Sequence, residues 1–209
     1  FLLNRSSDLV KDLIDQCKPD LLYSDGPVPF EKYGLGIIAH LYNTSAAGNG
    51  GINSAVYNQK DKNPLVFKVG VLDFERNVQA DAFPWPWQTD TCVGGWFYDV
   101  RQKYKSPRQV IEMLVDIVAK NGNLLLNLTQ KPDGTLDDEC GYILDELAAW
   151  IKVNGEGIYD TRPWDIALEG DTNAEQERFK EVELGWTPAD FRFTQKDNFI
   201  YAFQMKLSL

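Results

Sequence analysis

The sequence predicts an α/β fold of parallel β/α units with an antiparallel β module near its carboxyl end. Three observations carry that expectation. Short apolar runs alternate with segments of helical periodicity from Asp20 to Asn154, the pattern of strands buried between helices. Those runs end in polar residues, Asp25, Asn58, Asp73, Glu75 and Asn127, at the strand ends where β/α folds keep their chemistry. Beyond Pro163 the pattern changes, and Asp190 to Leu207 alternates with period two around Lys196-Asp197-Asn198, which marks a β-hairpin.

The elements follow in order. Ser7 to Gln16 sets Leu9, Val10, Leu13 and Ile14 on one face, after a Ser/Asp start and before Pro19, and predicts an amphipathic helix. Asp20 to Asp25 reads as a buried strand ending at Asp25, with Gly26 behind it. Glu31 to about Ala47 is helical in pattern, and Gly48-Asn49-Gly50-Gly51 breaks it. Ser54–Asn58 and Val69–Glu75 are the next strands, with Trp96–Tyr98 as a short fourth. Ser106 caps a helix that runs to Lys120, with Pro107 at its first position, Val110, Ile111, Leu114, Val115 and Val118 on its apolar side, and Gly122 past its end. Asn123–Leu128 is apolar enough for a strand buried on both faces. Asp137–Asn154 is a further helix stopped by Gly155, and residues 164–185 are polar and acidic. Four or five β/α strands therefore precede the hairpin, whereas a closed (β/α) barrel takes eight and about 250 residues. The pattern fits either an open sheet or two domains each represented in part.

Composition removes several classes of function. A chain of 209 residues that is 44% hydrophobic and 25% charged can bury a core without disulfides or metal, and it fits no collagen, coiled-coil or disordered class. A net charge of −10 argues against nucleic acid as a partner, because phosphate recognition needs a basic surface. No window approaches the roughly 18 consecutive apolar residues of a membrane span, and Phe1–Arg5 lacks the features of a cleavable signal. Cys17, Cys92 and Cys140 lie far apart without CxxC spacing, so a zinc site is not expected. One bridge with a free thiol and three separate thiols both remain open. The sequons at Asn4, Asn43 and Asn127 suit a secreted or lumenal protein.

Two carboxylates at strand ends suit acetal hydrolysis. A retaining glycosidase needs one carboxylate as nucleophile and one protonated carboxyl as acid, about 5–5.5 Å apart. Asp25 and Glu75 are the candidates; their structural alternatives are a turn residue before Gly26-Pro27 and an ion pair with Lys68 or Arg76. Pro84 to Tyr98 gathers Trp85, Trp87, Trp96, Phe97 and Tyr98 into a Gly/Pro-rich loop, and such rings either stack on sugar faces or pin the loop. His40 is the one histidine and lies in a helical stretch, so a Ser/His/Asp triad is not expected. Dinucleotide, Walker and HExxH motifs are absent. Asp133–Glu139 lacks EF-hand spacing and reads as a turn followed by a helix cap.

Taken in order, Pro19–Asp25, Pro86–Tyr98, Leu114–Asn127, Pro132–Thr135 and Trp150–Tyr159 resemble the retaining α-L-fucosidases of glycoside hydrolase family 29, over about residues 7–165. The resemblance implies the C-terminal part of a (β/α) TIM-like barrel over residues 1–160. A linker and the first strands of an antiparallel β-sandwich domain then occupy residues 161–209, and the chain looks like a fragment of a larger enzyme. It also implies exo-hydrolysis of terminal α-L-fucosyl linkages with retention through a covalent fucosyl-enzyme. By position, Asp25 resembles the nucleophile and Tyr23 an aromatic, often Trp, beside the fucose. Many members carry Trp-Glu where this sequence has Trp87-Gln88, with that Glu as proton donor. Gln88 is an amide and cannot serve, which leaves Glu75 as the expected general acid/base. Trp87, Gln88 and Trp96 join Tyr23 as expected substrate-binding residues, with no cofactor or metal. The family's fucose-binding histidines come from the first barrel strands, which this sequence lacks. The expected partners are accordingly a fucosylated glycan and an N-terminal half of the barrel, as a separate chain or nicked fragment, and not nucleic acid or a membrane. The alternative class is a non-catalytic fucose- or glycan-binding protein on a decayed hydrolase frame.

Overall fold

The computed structural model describes residues 2–63, 67–173 and 183–207. The chain divides into two compact units at Asp73/Phe74.

The first unit runs α1 (Leu2–Cys17), β1 (Leu21–Tyr23), a short 3-10 turn, α2 (Gly34–Gly48), β2 (Val56–Gln59), a second 3-10 turn and β3 (Val71–Asp73). Its strands are parallel, with Tyr23 opposite Asn58 and Asn58 opposite Val71. Ile14, Ile37, Ile38, Leu41, Ala55 and Tyr57 form the core. Helix α1 starts before Ser7, and its buried side is Ser7, Val10 and Ile14 rather than the expected leucines. Leu9 and Leu13 are 69% and 57% exposed. The i, i+3, i+7 row selected for burial contains the small Ser7, which the pattern of apolar residues alone cannot rank. Strand β1 is shorter and wetter than expected: Leu22 packs on the core while Leu21 on the other face is exposed. His40 joins the helices through Asp15, at 2.7 Å.

In the second unit, Phe74 and Arg76 donate their N–H groups to Gln88 O and Asp90 O, both at 2.9 Å. They thereby line up along β4 (Trp87–Cys92), which pairs in parallel with β5 (Gly122–Asn127) through α3 (Pro107–Ala119). Strand β4 corrects the expectation of a strand at Trp96–Tyr98, which is loop. Its alternating Gln, Thr and Asp hide it from a search for apolar runs, yet every residue of it is buried. Strand β5 is not buried on both faces. Leu124, Leu126 and Leu128 pack against the core of Val93, Val110, Cys140, Ile143 and Leu147, while Leu125 is 46% exposed.

Helix α3 has the full capping box: Ser106 Oγ accepts from Gln109 N, and Gln109 Oε1 accepts from Ser106 N, both at 3.1 Å. Its exit turn needs Gly122, since a Cβ there would lie 2.6 Å from the Trp87 ring. Helix α4 (Asp138–Asn154) is capped by Asp137, which accepts from Cys140 N at 2.9 Å. The three cysteines are unpaired, Cys17 exposed and the other two buried.

The antiparallel sheet has three strands in sequence order, β6 (Arg162–Glu169), β7 (Phe191–Lys196) and β8 (Phe199–Gln204). The expected hairpin is β7–β8, turned at Asp197 with φ of 52°. Strand β6 lies in the stretch read as polar; the register shift between Pro163 and Leu168 breaks its alternation. A third strand matters because an isolated hairpin is marginal in water.

Two buried polar clusters tie this sheet to α3 and to its own loops. Asp116 on α3 shares its carboxylate between Lys120 Nζ, at 2.8 Å, and Arg192 Nε from β7. Lys120 also bonds Asn173 Oδ1 at 2.8 Å, and the Arg192 guanidinium lies 4.8 Å from the Trp186 ring centroid. Asp190 accepts from Thr172 N at 3.0 Å, Thr187 N at 2.6 Å and Thr187 Oγ1 at 2.8 Å. Burial alone would raise this carboxyl, but the hydrogen bonds outweigh it and hold it at about 2 against an ordinary 3.8. A depressed folded value stabilises the fold above the ordinary pKa and is lost as pH falls through the folded one. Asp190 should thus contribute about 2 kcal/mol at neutral pH, fading between pH 4 and 2. The expected result is that Asp190→Asn lowers the neutral-pH Tm and flattens the fall of Tm over that acid range, as followed by thermal melts.

Candidate active site

The first unit presents one wall of side chains on the sheet face opposite its helices. Period two sends Leu22 and Ser24 toward the helix side, where Leu22 joins the core and Ser24 Oγ meets Tyr57 Oη at 2.5 Å. Burial pushes the Tyr57 phenol up, so it stays neutral. Tyr23 and Asp25 take the opposite face, together with Asn58 and Lys60 on the neighbouring strand. The parallel ladder runs on past the strand ends: Ser24 N donates to Asn58 O at 3.0 Å, and Lys60 N donates to Gly26 O at 2.8 Å. Asp25 and Lys60 therefore stand level, and Lys60 Nζ reaches Asp25 Oδ1 at 2.6 Å. The same ammonium is 5.9 Å from the centroid of the Tyr23 ring. Asp25 is 80% exposed at its side chain, while Lys60 is only 16% exposed.

The second unit presents a similar wall. Phe74 packs edge to face on Trp87, with centroids 5.7 Å apart. Alternation along each chain then groups Glu75 with Gln88 and Asp90 on the other face. Glu75 is half-buried, and Gln88 and Asp90 are 6% and 9% exposed. Trp87 departs from its expected place beside a ligand. Its ring is fully buried against Gly122, and its indole N–H donates to Lys120 O at 2.8 Å, so it anchors β4 to the α3–β5 turn. The reason is parity: along β4, odd-numbered residues face the helices.

Trp96 stands in the loop that leaves the carboxyl end of β4, 37% exposed, next to Phe97 at 87%. That loop is tightly fastened. Gly95 O accepts from Thr129 Oγ1 at 2.9 Å, Gly95 N donates to Gln102 Oε1 at 3.0 Å, and Lys105 Nζ donates to Cys92 O at 2.6 Å. Asn127, at the end of β5, extends Nδ2 to Trp96 O at 3.4 Å. Asp133 lies outside this wall and closes a turn through Thr135 N and Oγ1.

Asp25 thus belongs to the first wall, and Glu75, Gln88 and Asp90 to the second. Lys60 escaped the sequence reading because it lies beyond the apolar run of its strand; its even spacing from Asn58 was the available signal. Among the described residues, no group of three or more His, Cys, Asp or Glu converges as a metal site would require, and no helix is long and apolar enough to cross a membrane.

A sequence profile described as alpha-L-fucosidase matches residues 1–156. The chain belongs to the α-L-fucosidase family. Tissue α-L-fucosidase of Rattus norvegicus is 26% identical over 211 residues, covering 97% of this chain and 42% of that protein. The tissue α-L-fucosidase of Homo sapiens is 28% identical over 192 residues, covering 83% of this chain and 39% of its own length. Among solved structures, the Thermotoga maritima α-fucosidase in complex with fucose superposes with a TM-score of 0.69 at 24% identity, over 96% of this chain and 41% of that one. Another α-L-fucosidase gives a TM-score of 0.73 at 24% identity, over 96% and 42%. These likenesses concern the fold, that of the C-terminal part of a TIM-like barrel followed by the start of an antiparallel β domain. The chain spans 42% of the length of the tissue α-L-fucosidase of Rattus norvegicus and 35% of that of its plasma α-L-fucosidase.

Proposed function

We propose that this chain supplies the nucleophile and the general acid/base of an exo-acting α-L-fucosidase that hydrolyses terminal α-L-fucosyl linkages of glycans with retention. The supporting observation is the wall of Tyr23, Asp25 and Lys60 at the carboxyl ends of parallel strands, within a chain matched to the α-L-fucosidase family over residues 1–156. Asp25 attacks the anomeric carbon as the bond to the leaving oxygen breaks, and Glu75 gives that oxygen its proton. Glu75, now a carboxylate, takes a proton from water. The resulting nucleophile attacks the same carbon and releases Asp25, leaving fucose with the starting configuration. Tyr23 lies beside the bound sugar, Gln88 offers its amide to a hydroxyl, and Trp96 offers a ring face.

In this reading, residues 1–160 form part of the catalytic barrel and residues 161–209 lead into the β domain. The remaining barrel strands come from polypeptide outside these 209 residues, and an intact-mass measurement on native material would show it. A secreted or lumenal location agrees with relatives named plasma and tissue enzymes.

The test of the acid/base is Glu75→Gln in the full-length protein. Hydrolysis of a fucosylated glycan should fall about 10²–10⁴-fold, while an aryl fucoside with an acidic phenol, which leaves without protonation, should still be cleaved in a first burst. Azide should then accelerate turnover and give the α-fucosyl azide. Near-normal hydrolysis of the glycan by the variant would remove Glu75 from this role and direct attention to Asp90. A second reading, glycan binding without hydrolysis, is favoured by the amide of Gln88 where many relatives carry a glutamate. Binding of a fucosylated glycan with no release of fucose by the full-length protein would establish it.

A further inference from the structure

We infer that Lys60 is a positioning residue for Asp25, holding one carboxylate oxygen so that the other is the one that attacks. The inference deepens the proposed function and rests on Asp25 being its nucleophile.

Lysine ordinarily keeps its ammonium in water and lays only its stem on the protein. Lys60 has a side chain only 16% exposed, whose Nζ contacts Asp25 Oδ1 at 2.6 Å and lies 5.9 Å from the Tyr23 ring centroid. Three residues of the proposed sugar-facing wall are thus joined through one cation.

The backbone leaves this arrangement little slack. Lys60 N donates to Gly26 O, one residue past Asp25, and Ser24 N, one residue before it, donates to Asn58 O. The chain beyond Lys60 is also tied back on itself. Gln59 Nε2 donates to Asp61 O at 3.0 Å, Asp61 N donates to Gln59 Oε1, and Asn63 N donates to Asp61 Oδ1 at 2.8 Å. The stem of Lys60 therefore starts from a fixed point level with Asp25.

The contact has little value for folding alone, because a pair with one well-exposed partner is largely screened by water. Its chemical value is different. An aspartate that attacks carbon must present a single oxygen along the line of attack, and a free carboxylate rotates about its Cβ–Cγ bond. With Oδ1 held by Lys60, the plane of the carboxylate is set and Oδ2 is the attacking atom. Oδ2 forms the ester bond to the anomeric carbon, the aglycone leaves with the proton of Glu75, and Oδ1 becomes the ester carbonyl, still facing Lys60. When water cleaves the ester, the returning negative charge is again met by the ammonium.

The experiment compares wild type, Lys60→Met and Lys60→Arg in the full-length protein, with 2-fluoro-fucosyl fluoride as a covalent trap read by intact mass and peptide mapping. Lys60→Met should slow labelling of Asp25 and lower kcat by roughly a hundredfold, with KM moved less than about threefold and Tm unchanged. Lys60→Arg, which keeps the cation and its hydrogen bond, should recover most of the labelling rate. Labelling of Asp25 at the wild-type rate in Lys60→Met overturns the positioning role alone. A drop in Tm that accounts for the loss, shared by Lys60→Arg, overturns it too by making the contact structural. A label on a residue other than Asp25 in the wild type overturns the reading of Asp25, and the role of Lys60 with it.

Discussion

Asp25→Gly in the full-length protein should reduce hydrolysis of α-L-fucosides by about a thousandfold or more, the scale reached when a covalent nucleophile is deleted. Added azide should restore product, now as the β-fucosyl azide. Azide enters the space left by the carboxylate and displaces the aglycone in one step, so the configuration inverts. The Glu75→Gln variant gives the opposite anomer, because its azide attacks the fucosyl-enzyme already formed. The two products together separate nucleophile from acid/base without assuming either. Full activity of Asp25→Gly would remove Asp25 from the chemistry, and loss of activity without azide rescue would assign it to binding or folding. The side chain is 80% exposed, so its removal opens no cavity and Tm should change little.

Asp116→Ala should produce the largest loss of stability in the second unit. The carboxylate is 2% exposed and is shared by two cations, Lys120 and Arg192, that are themselves 0% exposed. Its removal leaves both buried without a paired carboxylate, Asp81 still acting on Lys120 through space. Breaking a buried pair in this way costs about 3–5 kcal/mol, which urea denaturation measures directly. Burial already pushes the Lys120 ammonium below its ordinary value, with Asp116 opposing that effect. Without Asp116 the folded state should bind fewer protons at Lys120 than the unfolded chain does. Stability of the variant should then rise as pH increases toward the ordinary lysine value of 10.5. Lys120→Met should cost less, since Asp116 keeps Arg192. Equal losses for the two variants would show that the cations are relieved by water rather than by Asp116.

Helix α3 was legible almost to the residue, because Ser106, Pro107 and Gly122 are local signals for its start and stop. Strand β4 was not, although it carries Gln88 and Asp90. Its residues Gln88 to Thr91 are polar but buried, and sequence patterns equate burial with apolar character. The expected strand at Trp96–Tyr98 was misled by the converse: aromatic residues there are held in a loop by backbone and side-chain hydrogen bonds, with Phe97 left 87% exposed. Strand β6 was hidden by Pro163 and by a register shift that spoils alternation. For β4 and β6, a pairing partner distant in sequence overrode the local signal.

The sequence by itself determined the class of parallel β/α units with an appended hairpin, the membership in the α-L-fucosidase family, and Asp25 and Glu75 as the carboxylates to examine. Those conclusions depend on residue identity and on order along the chain, which sequence carries in full. Only the tertiary structure decided which face each strand residue occupies. It moved Trp87 into the helix-side packing and grouped Glu75 with Gln88 and Asp90. It also brought Lys60, 35 residues away, onto Asp25. The physical reason is that a strand's side chains alternate, so one unit of register decides between packing and chemistry. Register is set by hydrogen bonds between segments that no local pattern connects.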